Sequence, residues 1–198
     1  MKLIFIRHGQ TTGDVEDRYG GTYDDALSPE GEAQAATLAQ TLASKGVGQI
    51  LSSPLLRARQ TAATLAKACG APIEVVENLK ERNQYGPLSG MVKAEAKRQH
   101  PELVEQVKDR LNTLPGAESY EAFRQRLTEV FQEIISKNAP SCRAIVWHGG
   151  GMRVLFRDIL GWGELTSIGD CCWVELEGSG TTWRLVASSG LEFAFKQP

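Results

Sequence analysis

Three histidines occur in this 198-residue chain, and two of them, His8 and His148, share one local setting. Each follows a short apolar run and precedes a glycine: Leu3-Ile4-Phe5-Ile6-Arg7-His8-Gly9 and Ala144-Ile145-Val146-Trp147-His148-Gly149-Gly150. Such β-branched and aromatic runs read as strands buried on both faces, and the glycine lets the backbone turn sharply at the strand end. Both imidazoles then emerge at the edge where open α/β sheets bind ligands, facing one pocket. Arg7 stands beside the first, where a guanidinium is costly to bury without an anion to pair with it. Arg57 lies in the first turn of a helix that begins at another strand end, which aims it at the same edge, whereas Arg59 points elsewhere. Gly149-Gly150-Gly151 leads into a helix from Met152, and free amides at a helix start attract phosphate or carboxylate. Taken singly, each feature has a plainer reading as a hydrogen-bonded structural histidine, a surface salt bridge or a turn. Together, two arginines and two histidines describe a pocket for a dianionic phosphoryl group.

Other phosphate and metal chemistries fit less well. Gly9-Gln10-Thr11-Thr12-Gly13-Asp14 lacks the Gly-Lys-Ser/Thr ending of a P-loop. No third ligand stands at metal spacing from His8 or His148, and neighbouring arginines would repel a cation. The four cysteines, Cys69, Cys142, Cys171 and Cys172, lack C-x-x-C spacing and read as reduced packing residues.

The elements that must position these residues alternate between strand-like and helix-like, the pattern of a mainly parallel sheet covered by helices. Ser28-Pro29 opens a helix with an apolar stripe of Ala35, Leu38, Ala39 and Leu42, ended by Gly46. A short strand at Ile50-Leu51 follows. Ser53-Pro54 opens a second helix carrying Leu55, Ala58, Ala62 and Leu65, stopped by Gly70, and residues 73–76 are the next strand. Ser119 caps an amphipathic helix that buries Tyr120, Phe123, Leu127, Val130, Phe131, Ile134 and Ile135. A strand at 144–147, a helix at about 152–160, and a hairpin of 171–176 with 183–187 complete the chain. The expected fold is a three-layer α/β sandwich: a mainly parallel central sheet, helices on both faces and a C-terminal hairpin. Residues 1–198 read as a single domain, with the irregular stretch 79–116 lying over the sheet edge as a lid or substrate insert.

A net charge of -2 offers no basic face for nucleic acid. The first apolar run is too short for a signal-peptide core, and no stretch approaches bilayer length, so the expected location is cytoplasmic without membrane association. A homodimer is left open.

Four segments, in this order, resemble the histidine phosphatase superfamily, which includes the cofactor-dependent phosphoglycerate mutases. They are Arg7-His8-Gly9-Gln10-Thr11, Ser52 to Ala62, Glu81 within Leu79-Lys80-Glu81-Arg82, and His148-Gly149-Gly150. The resemblance implies that His8 attacks phosphorus and becomes a phosphohistidine, splitting one displacement into two. It implies that Arg7, Arg57 and His148, the last protonated when phosphate is bound, hold the nonbridging oxygens. Glu81 takes the acid position, protonating the leaving oxygen and then deprotonating water or another acceptor. No metal or other cofactor is implied, and the expected partner is a small phosphorylated metabolite. His100 matches no motif and reads as structural.

Substrate contacts are expected from Thr11, Asp14, Gly21, Tyr85, Lys93 and Gly149, and more loosely from Arg110. Tyr85 and Lys93 match the mutases' phosphoglycerate contacts, which favours a carboxylated or doubly charged substrate. Against mutase function, the stretch between Glu81 and His148 is short, one extra residue separates Glu81 from Tyr85, and His148 is followed by Gly-Gly where mutases usually have Gly-Asn. Gly20 replaces a hydroxyl-bearing residue. Asp14 stands where the family generally places an asparagine, and its carboxylate would repel a dianion unless protonated or turned away. The resulting expectation is a phosphomonoesterase, with phosphoglycerate mutase as the alternative and a noncatalytic binding module as the third reading.

Overall fold

The computed structural model describes residues 1–137 and 140–194. Six strands form one sheet: β1 (Lys2–Arg7), β2 (Gln49–Ser52), β3 (Ile73–Val75), β4 (Cys142–Trp147), β5 (Leu165–Ser179) and β6 (Thr182–Phe193). Their order is β3-β2-β4-β1-β5-β6; the first four run parallel, while β5 and β6 are antiparallel additions beside β1.

The two central strands are apolar over Leu3 to Ile6 and Ala144 to Trp147 because both faces are covered there. On one face Leu3, Phe5, Ile145 and Trp147 pack with Phe123, Leu127, Val130, Met152 and Phe156. On the other, Ile4, Ile6, Ala144 and Val146 pack with Leu38, Leu42, Ala58, Ala62 and Leu65. Strand periodicity of two therefore divides each run between two cores, which is the three-layer sandwich expected.

Seven α-helices are described: α1 (Thr12–Val15), α2 (Pro29–Leu42), α3 (Leu56–Cys69), α4 (Lys93–Gln99), α5 (Pro101–Gln106), α6 (Tyr120–Ser136) and α7 (Gly149–Val154). Helix α2 starts and stops as its residues dictate. Ser28 Oγ accepts from the Gly31 amide at 3.0 Å, Pro29 fills the first turn, and Gly46 takes a φ of 72° after a 3-10 turn. Ser119 caps α6 in the same way, accepting from Ala122 N at 3.1 Å.

Three expectations need correction. Helix α3 begins at Leu56 rather than at Ser53-Pro54, because its Leu56 amide is satisfied by Asp24 Oδ1 at 2.6 Å and Ser53 is used elsewhere. Helix α7 begins at Gly149, so the three glycines form its first turn; it continues as a π-helical turn over Leu155–Ile159. The hairpin is longer than its apolar residues suggest, since register shifts near Ile168 and Trp173 interrupt the alternation and Cys171 adopts a φ of 50°. The stretch 79–116 holds α4 and α5 and a small cluster of its own, Leu88, Ala96 and Leu114. Among the described residues, no helix is long and apolar enough to cross a membrane.

Candidate active site

Parallel pairing of β1 with β4 places Arg7 opposite Trp147, so the residues that follow, His8 and His148, leave the sheet side by side. Their ring centroids are 5.2 Å apart. The His8 amide donates to Trp147 O at 3.2 Å, and the Cys171 amide at the β5 irregularity donates to His8 O at 3.1 Å. The backbone of His8 is thus clamped between two strands.

The His8 side chain has one tautomer compatible with its partners. Nδ1 is 2.8 Å from Gly9 O, which can only accept, so Nδ1 carries the proton. Nε2 is 3.1 Å from Arg57 Nε, which can only donate, so Nε2 presents its lone pair. Burial, reinforced by the charges of Arg57 and Arg7, holds the His8 pKa well below its ordinary value, which keeps the ring neutral. His148 is likewise lowered by burial, then by Arg57, His8 and Arg7. It lies beneath the pocket, 1% exposed, with Nε2 2.7 Å from Ser53 Oγ and Nδ1 buried without a partner among the described residues.

Arg57, 3% exposed, is held by the protein on several sides. It donates to Tyr23 O at 2.7 Å, to Gly21 O at 2.7 Å, and to Asp25 Oδ1 at 2.9 Å. Asp25 is buried too, and its other oxygen accepts from Gly13 N at 3.1 Å. An arginine so buried needs its charge matched, and Asp25 supplies the match. Arg7 reaches the opposite side, donating to Ile168 O at 2.7 Å and lying 3.3 Å from Asp170 Oδ1.

The Glu81 carboxyl group is fixed by two backbone amides, Arg82 N to Oε1 at 2.8 Å and Gly150 N to Oε2 at 2.9 Å. It thereby satisfies one of the orphan donors at the start of α7. A side chain at position 150 would place Cβ 2.3 Å from Glu81 Oε1. Glycine there is a steric condition for Glu81 to reach the amide, which gives the Gly-Gly after His148 a structural reason.

These groups surround a cavity of about 230 Å³ lined by Arg7, His8, Thr11, Asp14, Gly21, Arg57, Glu81, Tyr85, Lys93 and Gly149, together with Arg18, Gly20 and Gln84. Every site residue expected from the sequence lines it except His148, whose ring centroid lies 5.2 Å from that of His8, and the loosely expected Arg110. Asp14 lines the cavity with one carboxylate oxygen engaged: Oδ2 accepts from Thr11 N and Thr11 Oγ1, both at 2.9 Å, in a reciprocal capping box at α1. Thr11 and Asp14 therefore bond chiefly to each other. Gly21 has a φ of 59° and a virtual Cβ 3.0 Å from the Tyr85 ring, so it shapes the wall that Tyr85 forms. Lys93 Nζ is 2.5 Å from Asp17 Oδ1. Arg110 is not brought to the cavity; its guanidinium lies 5.7 Å from the Tyr120 ring centroid.

Sequence reasoning missed Asp25, Ser53, Arg18 and Gln84. Ser53 carried a signal, a Ser-Pro pair, but the signal pointed to a helix cap. Asp25 sits in a Tyr23-Asp24-Asp25 loop with no periodicity to single it out.

The histidine phosphatase superfamily (branch 1) model matches residues 3–189, and the chain belongs to that family. It is 31% identical over 161 residues to a metal-independent phosphoserine phosphatase of Arabidopsis thaliana, covering 78% of this chain and 67% of that protein. It is 33% identical over 159 residues to a 2,3-bisphosphoglycerate-dependent phosphoglycerate mutase of Cytophaga hutchinsonii, covering 77% and 74%. Among solved structures, a mycobacterial glucosyl-3-phosphoglycerate phosphatase complexed with VO3 superposes with a TM-score of 0.81 at 28% identity, covering 93% of this chain and 96% of that one.

Proposed function

We propose that this chain is a phosphomonoesterase that acts on small phosphorylated metabolites through a phosphohistidine at His8. The observation that carries the reading is the neutral His8 ring, with its Nε2 lone pair directed at Arg57 Nε, in the wall of a cavity that also holds Arg7, Arg57 and the Glu81 carboxyl group. Nε2 attacks phosphorus as the ester P–O bond breaks, and Glu81, protonated, gives its proton to the departing alkoxide. Glu81, now a carboxylate, takes a proton from water as that water attacks the phosphohistidine. The P–N bond breaks, inorganic phosphate leaves, and both side chains return to their starting states.

Arg57 Nε–H moves from Nε2 to a nonbridging oxygen when phosphate enters, so binding uncovers the lone pair. Arg7 contacts the other side. His148, lowered toward neutrality by burial, becomes a cationic clamp when the dianion offsets the arginine charges. Residues 79–116 act as the substrate insert, since Glu81, Gln84, Tyr85 and Lys93 all line the cavity.

Phosphoglycerate mutase is the second reading, favoured by Tyr85 and Lys93 in the cavity wall. A mutase has to retain a doubly phosphorylated species, and here the rim cations Arg18 and Lys93 face Glu16 and Asp17, with Asp14 adding a further carboxylate. That balance supports release over retention. Incubation with 3-phosphoglycerate and a trace of 2,3-bisphosphoglycerate separates the two: phosphate release without accumulation of 2-phosphoglycerate is expected. Formation of 2-phosphoglycerate faster than phosphate would overturn the hydrolase reading.

A further inference from the structure

Glu81 lines two cavities. One is the pocket at His8; the other is a groove of about 510 Å³ that includes Thr22, Asn78, Lys80, Asn83, Glu118 and Arg126 in its walls. The two adjoin at neighbouring residues as well: Gly21 and Gln84 line the pocket, Thr22 and Asn83 the groove. In phosphoryl transfer the attacking and leaving atoms lie roughly in line across phosphorus, and the acid has to reach the leaving oxygen. With His8 attacking and Glu81 as the acid, the leaving group projects past Glu81 toward the groove.

We infer that the groove is a subsite for the leaving alcohol and that this alcohol is uncharged, hydroxyl-rich and larger than glycerol, a sugar. The inference rests on the phosphomonoesterase reading of His8 and Glu81. Its chemistry follows from which groups are free. Arg126 is consumed by a bidentate pair with Glu118, at 2.9 and 2.8 Å, and by the carbonyls of Asn78 and Lys80, at 2.7 and 3.0 Å. Lys80 faces Glu77 at 3.8 Å. Each of the two groove cations thus faces a carboxylate, so among the described residues the groove walls offer no excess positive charge to a substrate carboxylate. The groups left with hydrogen-bonding capacity are the Thr22 hydroxyl, the Asn78 amide and the Asn83 carbonyl, whose own NH2 is taken by Gly116 O at 3.0 Å. Neutral donors and acceptors of this kind recognise hydroxyl groups.

Three primary alkyl phosphates isolate the claim, because their leaving-group chemistry is matched: glucose 6-phosphate, glycerol phosphate and 3-phosphoglycerate. For the full-length protein, kcat/KM for glucose 6-phosphate should exceed that for each of the other two by about tenfold or more, the scale of discrimination a few pocket contacts provide. In Asn78→Trp, which fills the groove from its exposed wall, the ratio of glucose 6-phosphate to glycerol phosphate should fall about tenfold. A ratio cancels any general loss from misfolding. Preference for 3-phosphoglycerate, or an unchanged ratio in Asn78→Trp, would overturn the subsite while leaving the phosphomonoesterase intact. Failure of the wild type to hydrolyse all three esters and phenyl phosphate would overturn both.

Discussion

The floor and the rim of the cavity are built on opposite terms. On the floor, His8, Arg57, Asp25, Ser53 and His148 are all buried, and each holds at least one hydrogen bond to the protein. On the rim, Lys93 and Asp17 form an ion pair whose side chains are 49% and 68% exposed, and Arg18 pairs with Glu16 across solvent. Buried polar groups are costly unless matched, so the floor has essentially one arrangement, dictated by chemistry common to every phosphate ester. Exposed pairs cost little to rearrange, so the rim and groove are where substrate choice can vary.

This contrast is broken most forcefully at Glu81, which touches both regions. Glu81→Gln should lower kcat by roughly 10²–10⁴-fold on alkyl esters, the usual contribution of a positioned acid. The loss should shrink on aryl esters, whose leaving groups need less protonation, and steady-state rates on the two ester types measure it. Equal losses on both would show Glu81 to be structural.

Next comes Asp25. Asp25→Ala leaves Arg57 buried without its counter-ion and should cost about 3–5 kcal/mol of stability, read from urea denaturation. A cost under about 1 kcal/mol, the scale of an exposed pair, would erase the distinction between floor and rim.

The third effect is a pH dependence confined to the floor. His8 and His148 are both held below their ordinary value of 6.5. As pH falls through that value the unfolded chain binds protons that the folded chain does not, so stability falls, and it continues to fall until the lowered folded values are reached. The urea midpoint should be lower at about pH 5.5 than at about pH 7.5, and His8→Gln should flatten the difference. A midpoint that rises on acidification would reverse the sign. Smallest is Lys93→Ala, which should change stability by no more than about 1 kcal/mol and kcat/KM for glucose 6-phosphate by about threefold or less. A loss on the scale of Glu81→Gln would place the rim within the machinery of the floor.

The same contrast explains what was legible in the sequence. His8, His148 and Arg57 stand at ends of periodic elements, so strand and helix patterns locate them. Two long apolar strands and two capped helices then define the sandwich. Asp25 and Ser53 were not legible as site residues, because their roles depend on which distant side chain folds onto them. Helices α4 and α5 are short and mostly polar, and β5 is interrupted at Gly169-Asp170-Cys171, so neither pattern was strong enough to mark them. Asp14 shows the limit most clearly. Its identity suggested conflict with a phosphate, and only the Thr11 capping box shows where its charge is directed.

The central claim is that Nε2 of the buried His8 imidazole donates its electron pair to phosphorus. Rapid quenching of the wild type during turnover of a ³²P-labelled ester, with acid and base treatment of the labelled protein, tests it directly. An acid-labile, base-stable label on His8 that forms and decays as fast as turnover, and is absent from His8→Asn, is the predicted result. Turnover without such a label, or a label that persists in His8→Asn, would contradict it.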